Sequence, residues 1–166
     1  MEVSSVKIFL KKCAEPIFVT FLKLFGCSWL GYFPGIILLF ALRARGATAD
    51  TQWLWAGLVG TAFTIIFLFC FMVGEGGENI YRKASCKERL ILSVAPPLIW
   101  LILCCLLKVH CEMLIVCPGM IIMGLQKIHV VDYTFFTPLP IGSVCALLYA
   151  LAIYSGSLMG RRIHKY

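Results

Sequence analysis

Residues 52–73 constrain the fold of this chain more than any other stretch. The sequence there reads QWLWAGLVGTAFTIIFLFCFMV and contains no charged residue. About 20 consecutive apolar residues are enough for a helix to cross the hydrocarbon core of a bilayer. A helix of this length on a soluble protein would carry charged and polar residues along one face, which this stretch lacks. The stretch therefore predicts a transmembrane helix.

The composition extends this conclusion to the whole chain. It has 166 residues, of which 61% are hydrophobic and 14% are charged, whereas soluble domains contain about 25% charged residues. Three further apolar stretches predict membrane spans at about 26–42, 90–107 and 141–159. We expect a single integral membrane domain over 1–166, an all-α bundle of four transmembrane helices.

The N-terminal segment, 3–25, allows two interpretations. Its polar residues recur at helical spacing on one face and are Lys7, Lys11, Glu15 and Lys23. This pattern favours an amphipathic helix that lies in the membrane interface. The alternative is a longer, tilted first span that begins near Pro16, in which Lys23 lies inside the bilayer or snorkels out of it.

A short apolar segment at 112–126 does not fit a full span. It contains Pro118 and Gly119 near its centre and is shorter than the bilayer requires. This length is typical of a re-entrant or interfacial segment on the outer face.

The basic residues predict the orientation. With four spans and a cytoplasmic N-terminus, eleven of the fifteen basic residues lie inside and four outside. If 112–126 were a fifth span, the count would be nine against six. Positive residues concentrate on the cytoplasmic side, so we expect four spans in a cell membrane with both termini cytoplasmic.

The basic residues also suggest partners. They flank apolar stretches and do not cover a soluble domain, which argues against nucleic acid and favours anionic lipid headgroups. The residues expected at cytoplasmic headgroups or at a protein partner are Lys7, Lys11, Lys12, Arg82, Lys83, Lys87, Arg89, Arg161 and Arg162.

Small residues recur every four positions in two of the spans. The helix-packing candidates are Ala56, Gly60 and Thr64 in 52–73, and Gly142, Ala146, Ala150, Ala152, Gly156 and Gly160 in the last span. Such spacing lets helix backbones approach closely. The contacts could lie within one bundle or between subunits, so a homo-oligomer or a larger membrane complex stays open.

The nine cysteines form no C-x-x-C pair and no spacing typical of zinc sites, and we predict neither a metal nor a cofactor. Cys111 and Cys117 lie in the outer segment and could form a disulfide there. Cys13 and Cys86 are candidates for acylation near the membrane surface.

Three functions remain open. The short loops, the lack of a catalytic motif and the nearly charge-free spans favour a non-enzymatic subunit or accessory of a membrane assembly. The alternative is a self-associating transporter or channel component for a neutral or lipid-like solute. A weaker hypothesis is a membrane enzyme acting on lipid or thiols, with a site in 110–132 built from His110, Glu112, His129 and Asp132.

Overall fold

The computed structural model describes residues 3–76, 81, 83–106, 121 and 138–163. This part of the chain contains four α-helices and no strand. The helices are α1 (Val3–Ala44), α2 (Ala49–Glu75), α3 (Cys86–Leu106) and α4 (Pro138–Ile163). The predicted all-α fold is confirmed.

Three stretches of these helices are long and apolar enough to cross a membrane: Cys13–Ala44, Thr51–Glu75 and Pro140–Ile163. They match three of the four predicted spans. The predicted span at 90–107 coincides with most of α3, and its insertion stays a prediction.

The outward faces of the helices suit an apolar solvent. Large hydrophobic side chains remain exposed on all four helices, among them Phe33 on α1, Ile66 on α2, Ile102 on α3 and Leu147 on α4. Soluble proteins rarely expose continuous apolar surface of this kind, because water penalises it. Hydrocarbon does not, so the surface is that of a membrane protein.

Each helix packs mainly against two others. α1 contacts α2 and α3, and α4 contacts the same two helices from the other side. The helices therefore follow the order α1, α2, α4, α3 around the bundle. α1 and α2 are antiparallel and joined by a tight turn, where Gly46 ends α1 with a φ of +73°, the left-handed conformation that favours glycine after a helix.

The predicted boundary between an interfacial helix at 3–25 and a first span at 26–42 is absent from the described helix. α1 runs without interruption over Val3–Ala44, as in the longer-helix alternative, and an interfacial position of its first part is not confirmed. The charge of Lys23 motivated the boundary, but Lys23 forms an ion pair with Glu75 of α2. A paired charge does not require the helix to end.

Candidate functional site: a polar layer at one end of the bundle

Polar side chains from all four helices meet where α2 ends and α3 begins. We call this group the polar layer; its members are Thr20, Lys23, Glu75, Tyr81, Cys86, Arg89 and Tyr154. It joins α1, α2, α3, α4 and the α2–α3 connection (residues 76–85).

The Lys23–Glu75 ion pair fixes the level of α1 relative to α2. Their side chains are 27% and 19% exposed, and Glu75 is the last residue of α2. A carboxylate at a helix C-terminus is opposed by the helix dipole, and the ammonium group of Lys23 offsets this. No local pattern in the sequence indicated the pair, because its members are 52 positions apart.

Tyr81 ties the α2–α3 connection to two helices. The Thr20 hydroxyl donates to the Pro16 carbonyl oxygen at 2.7 Å, so the Tyr81 hydroxyl must donate to Thr20 Oγ1, at 2.6 Å. The Tyr81 carbonyl oxygen accepts a hydrogen bond from Arg89 Nη2 at 2.8 Å. The connection is thereby held against both α1 and α3.

The start of α3 is defined by a capping box. The backbone N–H of Ser85 donates to Glu88 Oε2 at 2.8 Å, and the N–H of Glu88 donates to Ser85 Oγ at 3.3 Å. This reciprocal pair satisfies two backbone donors at the first turn. The local motif Ser-x-x-Glu predicts such a capping box, and the sequence-based prediction above lacks it.

Arg89 is the most deeply buried charge in the polar layer, at 2% exposure. Its Nε has no hydrogen-bond partner within the described residues. Burial, and then the nearby positive charge of Arg161, lower the pKa of its guanidinium from the usual value. Arg89 was expected at a lipid headgroup or partner surface, whereas its side chain lies inside the bundle.

The other candidate surface cations differ in their exposure and position. Lys83, Lys87 and Arg162 are exposed, and Arg161 is half-buried at the end of α4. Lys7, Lys11 and Lys12 lie on the first turns of α1, described for their backbone only, and Arg82 lies outside the described residues.

The small residues of α2 lie against α1. Ala56, Gly60 and Thr64 face Gly31 and Gly35. A Cβ on Gly35 would stand 2.7 Å from the Ala56 carbonyl oxygen, so only glycine permits this approach. Gly31 and Gly35 form a G-x-x-x-G motif, a signal for close helix packing that sequence reasoning missed.

The small residues of α4 serve two neighbours within the same chain. A Cβ on Gly156 would stand 2.8 Å from the Phe69 carbonyl oxygen of α2, and Gly160 packs on Gly76 directly after α2. A Cβ on Gly142 would stand 2.7 Å from Leu101 of α3. Ala146 and Ala152 are buried and Ala150 is half-buried. Two lines of small residues on α4 thus match its position between α2 and α3.

A groove lies beside the contact between α3 and α4. It has a volume of about 240 Å³ and opens on one side to the bundle surface. Its ends are marked by Val94 and Leu101 on α3 and by Ala150 and Ser143 on α4. Its lining is almost entirely apolar.

Other sequence candidates fall outside the described residues. They are Cys111 and Cys117 of the predicted disulfide, and His110, Glu112, His129 and Asp132 of the enzyme hypothesis. Of 112–126 only Ile121 is described, as helical and buried. Among the acylation candidates, Cys13 is buried and Cys86 is exposed. No His, Cys, Asp or Glu cluster in the described ranges could hold a metal.

Comparison of the chain with protein-family models, with curated proteins and with solved structures finds no match.

Proposed function

We propose that the protein is a non-enzymatic integral membrane protein that acts as a subunit or accessory of a larger membrane assembly. The observation that carries this proposal is the length of α1. Because Glu75 ends α2 opposite Lys23, residues 3–22 continue past α2. At 1.5 Å per residue this projection is roughly 30 Å long.

The projection presents an apolar face that the described residues leave exposed. Cys13, Pro16 and Thr20 are buried on one side of it. On the other side, Phe18 is 60% exposed and Leu22 is 49% exposed. Cys13 belongs to the same buried cluster as Tyr81, so one side of this segment packs on the bundle. Large exposed hydrophobic side chains on its other side are typical of an interaction surface.

The proposed placement is four spans in a cell membrane with both termini cytoplasmic. About 20 residues separate Lys23 from Arg43 on α1, roughly 30 Å, which equals the thickness of the hydrocarbon core. The polar layer then lies at the cytoplasmic boundary, with Lys87 and Arg161 beside it. The projection lies at or beyond the cytoplasmic headgroups, where a protein surface can cover Phe18 and Leu22.

The polar groups inside the bundle support a structural role. Thr64 donates to the Gly60 carbonyl oxygen at 2.9 Å, and Ser93 donates to that of Arg89 at 2.8 Å. These hydroxyls are bound to the backbone of their own helices. Within the described residues they are not arranged around an exposed reactive group.

Native mass spectrometry of the tagged full chain, extracted from its own host in nanodiscs, tests the proposal. We expect an unrelated chain in fixed stoichiometry. The variant F18A/L22A should weaken its retention by at least tenfold, because truncated anchor residues typically cost 2 kcal/mol or more. The matched control L147A/L151A alters exposed apolar residues on α4 and should leave retention unchanged. Recovery of this chain alone, or equal losses in both variants, would contradict the proposal.

The transporter alternative depends on self-association. Gly156 and Gly160 pack against α2 and Gly142 packs against α3 of the same chain, so these three positions supply no argument for a second copy. A homo-oligomer in the same spectra, passing a solute after reconstitution alone, would favour that alternative.

A further inference from the structure

We propose that the surface between α3 and α4 binds one anionic glycerophospholipid, with its phosphate near Arg161 and Lys87 and one acyl chain in the apolar groove. This site is independent of the accessory role. It combines two features that the polar layer and the helix packing leave unused: a positive charge that no carboxylate of the described residues pairs with, and the open apolar groove.

The positive charge is concentrated at one end of this surface. Arg89 is 2% exposed, and neither Arg89 nor Arg161 forms an ion pair with a carboxylate of the described residues. Arg161 lies close enough to Arg89 to act on it electrostatically, and Lys87 is exposed on the first turn of α3. A buried cation without a counter-ion is costly. An anion bound beside Arg161 lowers that cost.

The apolar groove begins at the level of Val94 and Ala150 and ends near Leu101 and Ser143. Seven residues separate its ends on each helix, roughly 10 Å of helix length. Apolar cavities exclude water, and in the proposed four-span placement this groove opens sideways at the depth of the lipid tails. A hydrocarbon chain is the occupant that its chemistry fits.

Arg161, Lys87 and the apolar groove lie on one continuous face. On α4, Ser143, Ala150, Tyr154 and Arg161 follow at helical spacings of seven, four and seven, which keeps them on one side of the helix. On α3, Lys87, Val94 and Leu101 do the same. Lys87 and Val94 are roughly 10 Å apart along α3, the interval that a glycerol backbone would occupy between phosphate and chain.

The experiment uses the full chain in detergent micelles and measures the Kd for phosphatidylglycerol and for phosphatidylcholine of identical acyl chains. We expect tighter binding of phosphatidylglycerol. R161Q and K87Q should each weaken it by about fivefold, which corresponds to roughly 1 kcal/mol per cation near a lipid surface. The control R162Q removes an exposed charge one residue away and should change Kd by less than twofold.

A second pair of variants tests whether the apolar groove holds the acyl chain. A150F fills the groove and should weaken phosphatidylglycerol binding by at least fivefold, whereas L151F, on the neighbouring exposed position, should not. If A150F fails to fold, S143F fills the far end of the same groove. Circular dichroism and thermal melting confirm the fold of each variant.

Several outcomes would overturn the proposal. Equal effects of R161Q and R162Q would remove the headgroup site. Equal affinity for the two lipids would remove the charge selectivity, and an unchanged Kd in a folded A150F or S143F would remove the chain site. Displacement of the lipid by millimolar inorganic phosphate would indicate a site for free phosphate.

Discussion

The contact between α1 and α2 centres on glycines, whereas the contact between α3 and α4 also contains two large aromatic rings. Gly31 and Gly35 let α1 meet the backbone of α2 directly. Between α3 and α4, Trp100 and Tyr149 pack edge to face with ring centroids 5.5 Å apart. The first contact leaves no room for a methyl group, whereas the second is bordered by a groove of about 240 Å³.

The difference shows that the size of the residues in a helix contact decides whether the contact leaves space for a ligand. Small residues shorten the interaxial distance and give dispersion contacts along the whole interface. Large aromatic rings hold helices apart and leave space at their sides, which a ligand can fill. We therefore expect α1–α2 to be the rigid part of the bundle and α3–α4 to be the adaptable part.

The largest expected effect is at Gly31. G31A places a Cβ against Thr64 and the Gly60 carbonyl oxygen, and 2.9 Å from the Thr64 backbone nitrogen. Overpacking of this kind should lower the free energy of unfolding by about 3 kcal/mol. The measurement is unfolding by SDS in mixed micelles.

Gly26 is the matched control for Gly31, since a Cβ there meets nothing within 4 Å. G26A should keep or raise the stability, by up to about 1 kcal/mol, through lower chain entropy. Equal losses in both variants would mean that the α1–α2 contact is not tight.

The next effect tests the ion pair at the end of the same contact. E75Q removes the carboxylate that pairs with the partly buried Lys23, and should cost about 2 kcal/mol, less than for a fully buried pair. The double variant K23M/E75Q should recover more than half of the loss. A double-mutant cycle measures the coupling, and additive losses would show that the pair contributes nothing.

A smaller effect is expected at Tyr81. Y81F removes the hydrogen bond to Thr20, whose own hydroxyl still donates to Pro16. Because no buried donor is left without an acceptor, the cost should be about 1 kcal/mol in the free energy of unfolding. T20A removes both bonds and should cost more; the reverse order would contradict this account.

The smallest effect is expected in the groove. A150L adds apolar atoms to open space between α3 and α4 and should change the free energy of unfolding by less than about 0.5 kcal/mol. A56L, at a fully buried position of the α1–α2 contact, should be far more destabilising. Similar losses in the two variants would remove the distinction between a rigid and an adaptable contact.

The apolar stretches predicted the helices because a membrane span depends on local composition alone. The spans predicted at 52–73 and 141–159 correspond to α2 and α4, and each observed helix continues beyond the predicted ends. The predicted spans were bounded by nearby charged residues. The helices themselves continue past charges that are paired, as at Lys23 of α1, or exposed, as at Arg162 of α4.

The polar layer was much less accessible to prediction. Its main contacts join Lys23 to Glu75 and Thr20 to Tyr81, pairs separated by more than 50 positions. No local periodicity encodes such pairs. The capping box at Ser85 and the motif at Gly31 are local, so the sequence alone carries the signal for both.

The order of the helices around the bundle also determines when its parts can assemble. α1 and α2 are adjacent in sequence and can pair as soon as both are synthesised. The other side of α2, at Phe69 and Met72, is covered by Gly156 of α4, and chains are made from the N-terminus. That side of α2 therefore stays uncovered until the ribosome has completed the last helix, and a chain truncated before α4 would expose it to quality control.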